Sequence, residues 1–212
     1  MALDPRRRQK QLARKAAKRK KQVAAKRREH GSITALLEHQ VASAPIHECL
    51  VPENLFDLGL GNLIVSRSLG PDLAAGVFLV DVFCLGIKNA FFTIVNGERY
   101  RELVAGCQEQ ARLVPIDPAC ALKLVEQVIA YARDLGFAPH KDYHRARVVL
   151  GGIDAEACAK SFQFGKDNKP LFVAGPNDSP ARCQQIMQTL ARRCGPDGFH
   201  YLVGMPIDGI DE

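Results

Sequence analysis

The first thirty residues, here called the basic arm, carry thirteen Lys or Arg side chains and only two acidic ones, Asp4 and Glu29. Their net charge is +11, so the remaining 182 of the 212 residues hold a net charge of −5. A dense block of like charges repels itself and is too costly to bury in an apolar core. The chain must therefore build its fold from the residues after the arm, and we expect one globular domain there.

The basic arm has the composition of a segment that binds polyanions, because Lys and Arg neutralise phosphates and release counterions. It contains no aromatic residue, so we expect contacts with the RNA or DNA backbone rather than stacking on bases. Repulsion between its charges predicts an arm that is disordered when free and helical when bound. The predicted phosphate-binding residues are Arg6, Arg7, Arg8, Lys10, Arg14, Lys15, Lys18, Arg19, Lys20, Lys21, Lys26, Arg27 and Arg28.

Other interpretations of the arm are a solubilising tail, an address like those for nuclear import, a mitochondrial transit peptide and an anchor on anionic membranes. The absence of Ser from residues 1–30 disfavours the transit peptide. The near absence of a large apolar face disfavours the membrane anchor.

Composition also bears on the compartment. The sequence contains no uninterrupted run of about 18 apolar residues and no apolar secretion signal at its start. Its seven cysteines include no CxxC pair. We therefore expect no transmembrane segment, reduced and mostly buried thiols, and a cytoplasmic location.

The apolar pattern after the arm predicts an α+β fold in which an antiparallel sheet packs with about four helices. We divide the chain into the arm (1–30), a short helix and linker (31–54) that includes a loop between Pro45 and Pro52, and a globular domain (55–212). The predicted strands are Asn62–Leu69, Ala75–Cys84, Ala90–Val95, Phe199–Val203 and a hairpin of Ser161–Phe164 with Leu171–Ala174. The predicted helices are Glu98–Leu113, one from Asp117 to Gly136, one within Pro139–Leu150, and Ser179–Cys194.

Asp81 lies within the very apolar stretch Val77–Phe92, where an unpaired carboxylate would be costly. A strand with an Asp, a Gly turn and a second apolar strand resembles the first hairpin of ribonuclease-H-like nucleases. That resemblance covers sixteen residues and implies a divalent metal on Asp81. The alternative, which we favour, is that Asp81 pairs with Lys88 or Arg67 or caps backbone groups.

His140 and His144 are four residues apart, a spacing that places two side chains on one helical face and occurs in zinc sites. Asp142 lies between them and could ligate a metal or orient a His. The Glu that a metalloprotease helix supplies after its first His is missing here. Solvated His side chains at a helix start are the simpler interpretation.

The segment 175–179 leads from a predicted strand into a predicted helix start, where an anion could bind. It lacks the P-loop signature, and Asp178 and Ser179 there are more often plain caps. Neither a GxSxG elbow nor a GxGxxG loop after a strand is present in the sequence. Nothing in the local sequence selects a nucleophilic Cys.

The motifs LVDVFCLGIKNAFF, GFAPHKDYHRA and FQFGKDNKPLFVAGPNDS, followed by a closing helix, resemble those of a family of uncharacterised bacterial proteins. The resemblance covers about residues 55–203. It implies a bacterial cytoplasmic protein, and it implies no activity and no catalytic residues.

The sequence therefore predicts a nucleic-acid-associated protein that binds RNA or a ribosome through its basic arm, which contacts the phosphate backbone of RNA or DNA. The alternative is a metal-dependent nuclease or phosphoesterase, with Asp81, Lys88, His140, Asp142 and His144 as candidate catalytic residues. A divalent metal belongs to that alternative alone, and the sequence predicts no other cofactor. A third interpretation is that the acidic domain binds a basic protein partner while the arm only localises it.

Overall fold

A computed structural model describes residues 36–176 and 178–202. The basic arm and its thirteen predicted phosphate-binding residues therefore lie outside the described residues. The chain divides into two units, Met1–Gln40 and Val41–Glu212. The second unit holds the main sheet, Asp81, Lys88 and the segment 140–144.

The main sheet has five strands, and every neighbouring pair is antiparallel. In the order in which they lie side by side, they are β4 (Gly86–Asn96), β3 (Asp72–Asp81), β2 (Leu60–Leu69), β1 (Ile46–Pro52) and β5 (Leu113–Pro115). This sheet, together with the helices around it, confirms the predicted α+β class.

Helices alternate with the strands along the chain, and a second, smaller sheet is formed near the end of the described residues. Residues 36–43 are helical (α1), and the next helices are α2 (Leu55–Leu58), α3 (Gly97–Gln108), α4 (Pro118–Asp134), α5 (Tyr143–Ala146) and α6 (Pro180–Cys194). Arg147–Leu150 and Ala155–Ala157 form short 3₁₀ helices. The small sheet consists of β6 (Leu171–Val173) and β7 (His200–Leu202), and α6 connects them.

The two faces of the main sheet belong to different apolar cores, because side chains alternate along each strand. Leu63 and Val65 of β2 pack in the larger core with residues of α4 and α5. Ile64, between them in sequence, packs in the core under α3 together with Tyr100. Ser66 Oγ also lies on that side, 2.9 Å from the Tyr100 hydroxyl. The predicted strand Asn62–Leu69 therefore alternates between the two cores, with Leu63 and Val65 on one face and Ile64 and Ser66 on the other.

Helix starts also follow the sequence prediction. The side chain of Asp117 accepts a hydrogen bond from the backbone N–H of Ala119 at the start of α4. The hydroxyl of Ser179 accepts one from the N–H of Arg182 at the start of α6. A Pro follows each cap, where a missing N–H costs nothing. These signals act within one turn of the chain, so they can be recognised without the tertiary fold.

Two pairings differ from the sequence prediction. Residues 45–52 were interpreted as a loop because of their prolines, but Ile46–Pro52 form β1, between β2 and β5. Pro52 ends the strand, a position that tolerates a residue without N–H. The predicted hairpin of Ser161–Phe164 with Leu171–Ala174 is also wrong, because β6 pairs in parallel with β7.

Arg67 shows why a buried cation need not pair with an acid. Its side chain is nearly inaccessible, and its guanidinium donates to the carbonyl oxygens of Val149 (2.6 Å), Ala44 and Gly151. Two of these carbonyls lie at the end of a 3₁₀ helix, where intrahelical donors are lacking. Burial lowers the pKa of Arg67. Arg67 therefore fastens this segment to β2 and is not the partner of Asp81.

The expectation that every cysteine is reduced is wrong for one pair. Cys120 of α4 and Cys158 form a disulfide, with their Cα atoms 5.0 Å apart. The other cysteines are free. Sequence spacing did not indicate the pair because 38 positions separate the two residues.

Across the described ranges, no helix combines the length and the apolar character needed to cross a membrane.

Candidate ligand-binding site

The turn between β3 and β4 is hydrogen-bonded to several other parts of the chain. Its carbonyl groups accept hydrogen bonds from three distant parts of the chain: Val82 from the N–H of Gly165 (2.9 Å), and Phe83 from the N–H of Leu171 (3.1 Å) and the hydroxyl of Tyr131 (3.1 Å). Such long-range bonds hold a buried turn in one conformation. These hydrogen bonds connect the predicted motif around Asp81 with α4, with β6 and with the segment before β6.

Asp81, the last residue of β3, shapes this turn. Its Oδ1 accepts hydrogen bonds from the backbone N–H groups of Phe83 (3.0 Å) and Cys84 (2.9 Å). The expectation that Asp81 caps backbone groups is therefore confirmed. Burial nevertheless raises the pKa of Asp81 to about 6, against the opposing effect of the turn N–H groups and of the positive charge of Lys88. Desolvation outweighs the favourable contacts because the carboxylate is only 6% exposed.

One cleft, here called the apolar cleft, opens beside Asp81 and has a volume of about 270 Å³. Its walls come from the end of α2 and the start of β2, from β3 and β4 with the turn between them, and from β6 with the residues that follow it. Asp81 and Lys88 are the only ionisable side chains that line it among the described residues; the apolar lining side chains include Leu58, Leu60, Phe83, Leu171 and Val173.

Lys88 of β4 lies at the boundary between this cleft and a second one. Its ammonium is 3.4 Å from Oδ2 of Asp178, and both side chains are largely buried. The same Oδ2 accepts a hydrogen bond from the N–H of Gly175 (2.9 Å). The ion pair therefore ties β4 to the turn that precedes α6.

The second cleft, here called the basic cleft, has a volume of about 430 Å³. Lys88, His140 and Arg182 line it, and Asp178 is the one acidic side chain along its described lining. Arg182 belongs to the first turn of α6, whose amino-terminal end carries a partial positive charge. The cleft thus brings together cationic side chains from β4 and α6.

Of the three predicted residues in the segment 140–144, His140 and Asp142 contact each other, whereas no side-chain hydrogen bond or ion pair in the described part of the chain joins His144 to either of them. The helix α5 begins only at Tyr143, so His140 precedes it, and the argument that both His side chains share a helical face fails. His140 lines the basic cleft, and its backbone N–H donates to the carbonyl of Ile87 (2.9 Å). His144 and Asp142 are exposed and line neither cleft.

A divalent metal finds no ligand set in this region. Within the described parts of the chain, no three His, Cys, Asp or Glu side chains come together as a group that could hold an ion. Asp142 Oδ2 lies 3.7 Å from Nδ1 of His140, which makes an ion pair when the His is protonated. The residues proposed for a metal-dependent reaction are thus divided between two clefts and the surface.

Sequence reasoning missed Arg182 and did not connect Asp178 with Lys88. Ninety positions separate Lys88 from Asp178, so only the tertiary fold reveals their contact. The signal that was available is the start of a helix at Ser179, with a basic residue in its first turn.

No protein-family model, no curated protein and no solved structure matches this chain. The resemblance to a family of uncharacterised bacterial proteins therefore stays a prediction, and function must be argued from charge and geometry.

Proposed function

We propose that this protein binds RNA or DNA, ribosomal RNA included. The Lys and Arg side chains of the basic arm would contact the phosphates of the nucleic acid. The observation that supports the proposal is the division of charge, +11 in residues 1–30 against −5 in the rest of the chain. A polyanion is attracted to the arm and gains little from the acidic remainder. In this proposal the arm supplies the affinity, and the folded domain remains outside the contact or meets another protein.

The test compares the full chain with an arm variant in which all thirteen Lys and Arg of residues 1–30 are replaced by Gln. Binding of a labelled duplex is followed by fluorescence anisotropy over a series of salt concentrations. If about six basic residues contact phosphates, log K falls against log salt with a slope of roughly −5. We expect the arm variant to lose both the affinity and most of this slope.

A matched control removes positive charge from the folded domain. Arg99 and Arg101 lie on the exposed surface of α3, away from both clefts, and their replacement by Gln should leave binding nearly unchanged. Binding that survives in the arm variant, or that does not respond to salt, contradicts the proposal.

The alternative function, a metal-dependent nuclease or phosphoesterase, stays a prediction without a supporting contact. Asp81 and Lys88 share a cleft, but the described residues do not supply the ligands for an ion. The third interpretation, a basic protein partner for the acidic domain, is separated from the first by a pull-down with and without nuclease treatment. Loss of the partner after nuclease treatment favours nucleic acid as the link.

A further inference from the structure

The two clefts beside Lys88 are neighbouring parts of one region. Lys88 lines both of them, Asp178 lines the basic cleft, and Gly175 lines the apolar cleft. Asp178 contacts both Lys88 (3.4 Å) and the N–H of Gly175 (2.9 Å), so it links a residue that lines both clefts with one that lines the apolar cleft. A ligand that occupies both clefts would therefore contact the side chain of Lys88.

The basic cleft has the chemistry of a phosphate site. Lys88 and Arg182 are two cationic side chains in its lining, His140 lies beside them, and Asp178 is the single acid among the described lining residues. A guanidinium binds a phosphate through two parallel hydrogen bonds, and an ammonium has three donors. Lys88 can thus bind a phosphate oxygen while it keeps its contact with Asp178. The positive end of the fifteen-residue helix α6 adds to the attraction.

The apolar cleft has the chemistry of a site for a flat ring with an N–H group. Leu58, Phe83 and Val173 provide apolar walls, and Leu58 and Val173 are partly exposed where they could cover a ligand. Asp81 is the acceptor in this cleft: a carboxylate has about four acceptor positions, and the turn N–H groups of Phe83, Cys84 and Leu85 account for three of them. A nucleobase combines a flat apolar face with N–H donors on its edge.

We propose that the two clefts together hold one nucleotide, with its phosphate at Lys88 and Arg182 and its base against Asp81. The volumes agree with a ligand of this size. Sites for organic ligands span roughly 300–1,000 Å³; the basic cleft, at about 430 Å³, lies within that range by itself, and the space stays within it when the apolar cleft, at about 270 Å³, is added. This site belongs to the folded domain and does not depend on the basic arm.

The experiment titrates the full chain with nucleoside 5′-monophosphates, ribose 5-phosphate and inorganic phosphate by calorimetry. We expect the nucleotide to bind more tightly than ribose 5-phosphate, and ribose 5-phosphate at least as tightly as inorganic phosphate. Arg182→Gln should lower the affinity for all three ligands by about tenfold or more, because it removes a charged hydrogen bond to the phosphate. Asp81→Asn should lower the affinity for the nucleotide by about tenfold and leave the affinity for ribose 5-phosphate unchanged.

Two controls separate this site from the arm and from general charge effects. Arg101→Gln removes one charge from the exposed surface of α3 and should change none of the affinities. The arm variant, with its thirteen Lys and Arg residues replaced by Gln, should bind the mononucleotide with the wild-type affinity even if it no longer binds duplex nucleic acid. Failure of the arm proposal therefore leaves the cleft proposal standing, and the reverse also holds.

Several outcomes overturn the proposal. One is a wild-type chain that does not bind any nucleotide at concentrations on the order of 1 mM. Another is a nucleotide affinity that Arg182→Gln leaves unchanged. Equal affinity for the nucleotide and ribose 5-phosphate would show that the apolar cleft does not hold the base. Folding of each variant is checked by its thermal unfolding, so that a lost affinity reports on the ligand contact.

Discussion

Replacing Asp81 by Asn should stabilise the fold at neutral and alkaline pH. The carboxylate is 6% exposed, and burial raises its pKa from the ordinary 3.8 to about 6. One pKa unit corresponds to about 1.4 kcal/mol, so the shift amounts to about 3 kcal/mol. An Asn side chain keeps an oxygen that can accept from the N–H groups of Phe83 and Cys84 and carries no charge to desolvate.

The sign of the pH dependence follows from proton binding. Between about pH 4 and pH 6 the folded chain holds a proton on Asp81 that the unfolded chain has lost, so the free energy of unfolding falls as the pH rises. Below this window the wild type and Asp81→Asn should be nearly equal in stability. Above it the variant should be more stable by up to about 3 kcal/mol.

The assay is urea denaturation of both proteins at several pH values from 4 to 8, with the exposed Asp134→Asn as the matched control. The informative quantity is the difference in unfolding free energy between variant and wild type, which cancels the titration of the other groups. A difference that does not depend on pH would refute the reasoning. So would a wild type that becomes the more stable protein as the pH rises.

Three further predictions concern the scaffold. Arg67→Met should lower the free energy of unfolding by about 3–5 kcal/mol in urea denaturation, because it leaves one buried and two partly buried carbonyls without their donor. Gly86→Val should cost about 2 kcal/mol or more in the same assay, since φ is +70° and a Cβ would lie 2.7 Å from a methyl group of α4; Gly97→Ala, in open space, should cost little. Denatured, unreduced protein should show five reactive thiols out of seven, and reducing the Cys120–Cys158 bond should cost about 3–4 kcal/mol in thermal unfolding. Seven reactive thiols before reduction would contradict the pairing.

Local signals allowed much of the fold to be predicted. The caps at Asp117 and Ser179 and the alternation along β2 depend on neighbours within a few positions, so the sequence alone reveals them. The strand Ile46–Pro52 was missed because its prolines are local signals for a loop, whereas its place in the sheet depends on pairing with β2 and β5. The parallel partner of β6 likewise lies about thirty positions away.

The candidate site could be predicted only in part for the same reason. Asp81 and Lys88 were identified because charged residues in an apolar strand region are unusual. Their neighbours Asp178 and Arg182 follow from the docking of α6 against the β3–β4 turn, which no local pattern encodes. His140 was chosen for its spacing from His144, but it lines the basic cleft for a different reason: its backbone N–H bonds to β4.

The small sheet and the helix that connects its strands have a consequence for motion. The pair β6–β7 is separate from the main sheet, and α6 packs mainly in its own apolar cluster with Cys84, Leu85 and Phe172. A unit of this kind can open as a cooperative segment at a lower free energy than the whole domain. Any molecule that contacts both β4 and α6 would stabilise this segment against local opening. It would therefore slow amide hydrogen exchange in β6, α6 and β7 more than in the five-stranded sheet.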